Sequence, residues 1–164
     1  MVCIYSESLK SLGMSKKREA ELLYNQKLRE VERFVGHSNT TYSNSLENAG
    51  RFFLGVKFKG VFPSDKIPQL NDLAPYCILN LDRSGEPGSH WIALAKTKSG
   101  AIVYDSFGRD HRRIIPNLRF SGNGRIINTE RDHEQHRKQL NCGQRCIGFL
   151  MVFDEYGDSY AKWI

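Results

Sequence analysis

Hydrophobic positions recur at helical spacing near both ends of this chain and crowd at strand-like density between them. From Ser15 to about Val35, Tyr24, Leu28, Val31 and Val35 share one helical face, and Ser15 is a residue type that caps a helix start. After Asn141, Cys146, Phe149, Leu150 and Phe153 stand at i, i+3, i+4 and i+7, with Ile147 and Met151 widening the stripe. That pattern predicts a helix buried on more than one side, with Cys142 and Gly143 at its N-terminal edge. The polar stretch HSNTTYSNSLENAG reads as a loop by composition, and the aromatic GRFFLGVKFKGVFPSDKIP is broken by Gly and Pro. Three β-like runs follow, Tyr76–Leu81, Trp91–Lys96 and Ala101–Asp105, and Ile126 with Ile127 offers a fourth beyond a loop-rich basic stretch over Arg109–Arg125. The expected class is α+β: a small, mainly antiparallel sheet flanked by helices, with one central helix.

Composition narrows the classes. The 164 residues are 40% hydrophobic and 26% charged, which suits one folded domain with a core rather than a disordered or fibrous chain. The longest nearly apolar run, Cys146–Phe153, is far short of the roughly 20 residues that cross a bilayer, and MVCIYSESLK lacks the basic start of a secretory signal. The expectation is a protein neither membrane-spanning nor secreted, and a monomer. Its four cysteines, Cys3, Cys77, Cys142 and Cys146, are then free thiols or ligands rather than a disulfide framework. Cys77, inside YCILNL, reads as a buried strand residue. The net charge of +6 is concentrated: Arg109–Arg145 holds 9 basic and 4 acidic groups, a stretch able to attract phosphate backbones or acidic partners.

Three local features carry chemistry. A cysteine at a helix N-terminus, as Cys142 would be, meets the positive end of the helix dipole, which stabilises a thiolate, and Gly143 lets a substrate backbone come close. The runs HWIALAK and AIVYDSFG are joined by the turn-prone TKSG and should pair antiparallel, with Lys96 opposite Ala101. That register brings His90 near Phe107 and within about two rungs of Asp105, where a carboxylate can orient an imidazole. Gln135, upstream of Cys142, can aim its amide into the space of the Cys142 N–H, which is how an oxyanion hole is built.

Taken together, GSHW, YDSFG and the spacing Gln135-x6-Cys142-Gly143-x-x-Cys146 resemble the adenovirus-type cysteine endopeptidases (adenain). The likeness is closer to their relatives in Polinton/Maverick-like and adintovirus-like elements, and FFLG, VFPSDKIP and ILN extend it over roughly Gly50 to Tyr156. The resemblance implies the adenain/SUMO-protease-like fold, with a cysteine protease domain over 49–164 and a helical extension and loop over 1–48. It implies His90 as general base, Asp105 as its orienting acid, Cys142 as nucleophile and Gln135 as the oxyanion-hole amide. The family's acid is usually Glu, so Asp105 is nearer the wider clan that includes SUMO-specific proteases. Also implied are cleavage beside Gly-Gly-like or Gly-Xaa-Gly sequences in viral structural precursors and residence in a virion or an infected-cell nucleus or cytoplasm. No metal or organic cofactor is expected. Family members use a disulfide-linked peptide or DNA as activators; this chain has no cysteine between Asp105 and Gln135 for that disulfide, while the basic Arg109–Arg145 stretch is compatible with DNA. Trp91, beside the base, would wall the site and shield the imidazole.

Two other readings compete. A peptidase of the same clan that removes ubiquitin-like tags would use the same four residues. A zinc-binding nucleic-acid module would instead use His133, His136, Cys142 and Cys146, since imidazole and thiolate are ligands zinc prefers; it leaves His90 and Asp105 unexplained.

Overall fold

The computed structural model describes residues 13–36, 41–120, 124–135 and 139–164. The first helix, α1, runs Lys16–Val35; Ser15 caps it by accepting from the Arg18 N–H at 3.4 Å. Its expected stripe is buried at Tyr24, Leu28 and Val31, and Val35 packs against the same core from a half-buried position. A second helix, α2, spans Ser43–Leu54, where a loop was expected over HSNTTYSNSLENAG. Leu46, Ala49, Gly50 and Leu54 are its buried positions. They recur at helical spacing among Ser and Asn residues that dominate the local composition, and tertiary burial of that narrow stripe outweighs the polar propensity. The helix runs through residues 48 and 49.

Five strands form one sheet in chain order: β1 (Phe58–Pro63), β2 (Tyr76–Asn80), β3 (Trp91–Thr97), β4 (Gly100–Tyr104) and β5 (Arg125–Asn128). The β3–β4 hairpin has the register its turn implies, with Lys96 opposite Ala101. The sheet is mixed, correcting the expectation of a mainly antiparallel one: β2–β3 and β3–β4 are antiparallel, but both outer pairs, β1–β2 and β4–β5, are parallel. The reason is connection length. Parallel neighbours need a crossover of about a dozen residues or more, and the segments 64–75 and 105–124 supply it. Both crossovers lie over one face of the sheet, where Leu70, Ile115 and Leu118 pack on Cys77, Leu79, Ile92, Leu94 and Val103. At the β4–β5 pair, Gly100 has φ 150°, and a Cβ there would strike the Arg125 backbone, so only glycine admits so close a partner.

The opposite face carries the helices. Ile78, Ala93, Ala95, Ile102 and Tyr104 meet α1, α2 and the helix α4 (Cys142–Tyr156) in one continuous core. A short turn of helix, α3 (His111–Ile114), precedes β5, and α5 (Asp158–Ala161) follows α4. Every residue of α4 from Cys142 to Val152 is buried, as the widened stripe implied. Phe149 stacks on Tyr104 with centroids 4.7 Å apart, which fixes α4 against the end of β4. Because both sheet faces are covered, β2 and β3 read as continuous apolar runs. No helix among the described residues is long and apolar enough to cross a membrane.

Candidate active site

The first residues off the open end of the β3–β4 hairpin are His90 and Asp105, and the paired strands bring them together diagonally. His90 Nε2 lies 2.6 Å from Asp105 Oδ1, with both side chains buried. A carboxylate accepts only, so Nε2 carries the proton and Nδ1 is left for another partner. Cys142, the first residue of α4, interacts electrostatically with the imidazole and with the backbone N–H groups of Trp91 and Gly143. Asn141, which precedes α4, makes no capping bond through its side chain; it accepts from Arg145 Nε at 3.0 Å and donates to Glu32 Oε1 at 3.0 Å. No Asn141 side-chain cap therefore competes for the Gly143 N–H, which acts on the Cys142 thiol.

These contacts set the protonation states. Burial disfavours an imidazolium at His90, but the bonds to Asp105 and Cys142 outweigh it and raise its pKa above 6.5. Burial likewise pushes the Cys142 thiol up, and the His90 bond and the two backbone donors more than reverse it, leaving the pKa below the ordinary thiol value. Asp105 is held down to about 2, burial being overcome by His90 and Arg109. Both shifts run in the direction that favours a thiolate–imidazolium pair.

Sequence reasoning missed Arg109, while the hairpin register had already brought Phe107 to His90. Arg109 grips the acid with Nε on Oδ2 at 2.7 Å and Nη2 on Oδ1 at 3.3 Å, a fork that locks both oxygens. Phe107 lies against the imidazole, ring centroids 4.9 Å apart, and Arg109 sits 5.3 Å over the far ring. An acid–base pair at i, i+4 was the available signal for Arg109, meaningful only once Asp105 ends a strand. The Trp91 indole hydrogen-bonds the Thr41 carbonyl at 3.2 Å, tying the α1–α2 link to the neighbour of the base.

Gln135 is placed through Ser106 rather than by direct contact with the thiol. Its backbone N–H donates to the Ser106 carbonyl at 3.0 Å, its Oε1 accepts from Ser106 Oγ at 2.6 Å, and its Nε2 donates to the Gln139 carbonyl. An amide nitrogen has two protons, and among the described residues only the Gln139 carbonyl takes one, which leaves the second for a ligand. Since Ser106 follows Asp105, the acid and the amide hang from one stretch of chain.

The other candidate ligands disperse. Cys146 is fully buried in the core and burial pushes its thiol far up; His133 is exposed, and His136 lies outside the described residues. Among the described residues no group of three or more His, Cys, Asp or Glu side chains is arranged to hold a metal ion. Cys77 is buried in β2 with its pKa raised by burial, and Cys3 lies outside the described residues. In the basic stretch, Arg109 is committed to Asp105, Arg112 and Arg131 share Asp110, and Arg145 is buried; Arg113, Arg119 and Arg125 are exposed. No protein-family model and no curated protein matches the chain.

Proposed function

We propose that this protein is a cysteine endopeptidase of the adenain-like type. The observation that supports it most is the buried Asp105–His90 hydrogen bond, with the Cys142 thiol at the first turn of a buried helix and its pKa lowered by His90 and by the Trp91 and Gly143 N–H groups. In this mechanism imidazole and thiol share a proton, and the thiolate attacks the scissile carbonyl carbon. The carbonyl oxygen becomes an oxyanion facing the Cys142 N–H and the spare Gln135 amide proton. The imidazolium then gives its proton to the leaving amine, and water, deprotonated by His90, releases the acyl group from sulfur.

The substrates in this reading are viral structural precursors cut beside Gly-Gly-like or Gly-Xaa-Gly sequences, in a virion or infected cell. Nucleic acid is a partner through the exposed arginines of Arg109–Arg145. A groove of about 370 Å³, lined by Tyr42, Phe62, Asn80, Gly88 and Trp91 among others, reaches the neighbour of the base and suits an extended peptide. The burial of Cys146 favours the peptidase over a zinc module.

The test is iodoacetamide labelling at mildly acidic pH, mapped by peptide mass, on the wild type and His90→Ala, alongside turnover of Gly-Gly reporter peptides and of ubiquitin-like fusions. Selective labelling of Cys142 that collapses in His90→Ala, with peptide turnover, is expected, because ordinary thiols with pKa about 8.5 react slowly there. Preference for the fusions over precursor peptides would make it a tag-removing peptidase. Joint protection of Cys142 and Cys146, relieved by a chelator, would overturn the peptidase reading.

A further inference from the structure

The N-terminal helix lies outside the stretch that resembles a protease, yet it reaches the site through one buried hydroxyl. Tyr24 of α1 is 3% exposed, and its Oη is 2.7 Å from Tyr104 Oη and 3.3 Å from Arg145 Nη1. Tyr104 in turn donates to Glu134 Oε2 at 2.6 Å. The proton order follows from what each group holds. Arg145 can only donate, and the single Tyr104 proton goes to Glu134, so Tyr24 accepts from Arg145 and donates to Tyr104.

Each end of this relay adjoins a residue of the proposed mechanism. Arg145 sits one turn into α4 and binds Asn141, the residue before Cys142, through Nε. Tyr104 precedes Asp105, and Glu134 precedes Gln135, whose N–H and that of Glu134 share the Ser106 carbonyl at 3.0 and 3.1 Å. One hydroxyl therefore bridges the start of the nucleophile's helix and the segment that carries the oxyanion amide. Such a buried, fully paired chain fixes geometry because any shift leaves a buried donor or acceptor unmet.

Resting on the peptidase reading above, we infer that Tyr24 is a positioning residue for the oxyanion side of the site, holding Gln135 in register with Cys142. The oxyanion exists only during acyl transfer, so misplacing its donor lowers kcat and leaves KM alone. Alkylation by iodoacetamide is a displacement at carbon that forms no oxyanion, so it reports the thiolate–imidazolium pair by itself.

The experiment compares Tyr24→Phe with Tyr160→Phe, which removes another buried hydroxyl facing α1, the one that donates to Glu19 Oε2 at 3.1 Å. Expected for Tyr24→Phe is a kcat on the Gly-Gly reporter lowered about tenfold or more, with KM and the Cys142 alkylation rate within about twofold of wild type. Tyr160→Phe should lower the thermal midpoint while holding kcat within about twofold. Equal kcat in both variants, or a fall in alkylation that parallels kcat, overturns the inference. If Tyr24→Phe does not fold, Glu134→Gln, which keeps an acceptor for Tyr104, should retain more kcat than Glu134→Ala; equal loss overturns it too. A wild type that alkylates but cleaves no reporter sinks the peptidase reading and this inference together, whereas an active wild type with a normal Tyr24→Phe sinks this inference alone.

Discussion

Asp105 Oδ1 receives the Nε2 proton of His90 at 2.6 Å while Arg109 clamps both oxygens of the same carboxylate. The acid thus has no freedom to rotate, and the imidazole it holds has no freedom to change tautomer. The side chain that faces the thiol is oriented by a group that never touches it.

Replacing that group by its neutral isostere should therefore separate orientation from shape. Asp105→Asn keeps the volume but removes the charge that favours imidazolium and strands the Arg109 fork. The expected result is a fall of roughly a hundredfold or more in kcat/KM, and a Cys142 alkylation profile displaced to higher pH. Alkylation of Asp105→Asn that follows the wild-type pH profile would show that the acid does not tune the pair.

The pH dependence has a defined sign. The Cys142 pKa is lowered from 9.0 and the His90 pKa is raised from 6.5, so the thiolate appears earlier and the imidazolium persists later than in free side chains. Alkylation of Cys142 should begin on the acid side of an unperturbed cysteine and turnover should decline on the alkaline side, as His90 loses the proton owed to the leaving amine. A stopped-flow pH series on the folded protein and on its urea-unfolded form checks this. Identical thiol profiles in the two forms would remove the coupling.

Stability should respond to acid at the same carboxylate. Asp105 falls from 3.8 to about 2 on folding, so its contribution is full above the unfolded value and disappears as pH drops from about 4 toward 2. The size of the shift corresponds to about 2 kcal/mol. Urea midpoints measured across that window should fall with pH in the wild type and fall less steeply in Asp105→Asn. Parallel curves would place the acid sensitivity elsewhere.

What could be read beforehand was what local periodicity encodes. The α1 and α4 stripes and the Lys96–Ala101 register are set by neighbours within a turn or a hairpin, and the register alone put His90 beside Asp105. The pairing of β1 with β2 and of β4 with β5 depends on crossovers whose direction no short pattern states. Helix α2 hid because its four buried positions are interleaved with as many Ser and Asn, and Arg109 acquires meaning only once β4 ends before it. Tyr24 was legible as a core residue from its spacing, but its hydroxyl found Tyr104 and Arg145 only through the packing of α1 on α4.

Gly143 tests how tightly the nucleophile's helix is seated. A Cβ at that position would lie 2.7 Å from Leu46 Cδ2 and 2.8 Å from Cδ1, and Leu46 is fully buried, so the clash cannot be relieved by turning into solvent. Alanine gains about 1 kcal/mol of helix propensity over glycine, but overpacking a filled core costs about 1–3 kcal/mol. Gly143→Ala should therefore be neutral to about 2 kcal/mol destabilising by chemical denaturation. Leu46→Val removes a methylene at the point of contact, so the double variant should be more stable than the sum of the single effects predicts. The Gly143 N–H also reaches the Cys142 thiol, so the helix start that moves to admit a methyl carries a thiolate donor with it. Gly143→Ala should then slow Cys142 alkylation at mildly acidic pH, and Leu46→Val should restore part of that rate. Additive stabilities with an unaltered alkylation rate would mean that the Leu46 contact does not set the position of the nucleophile.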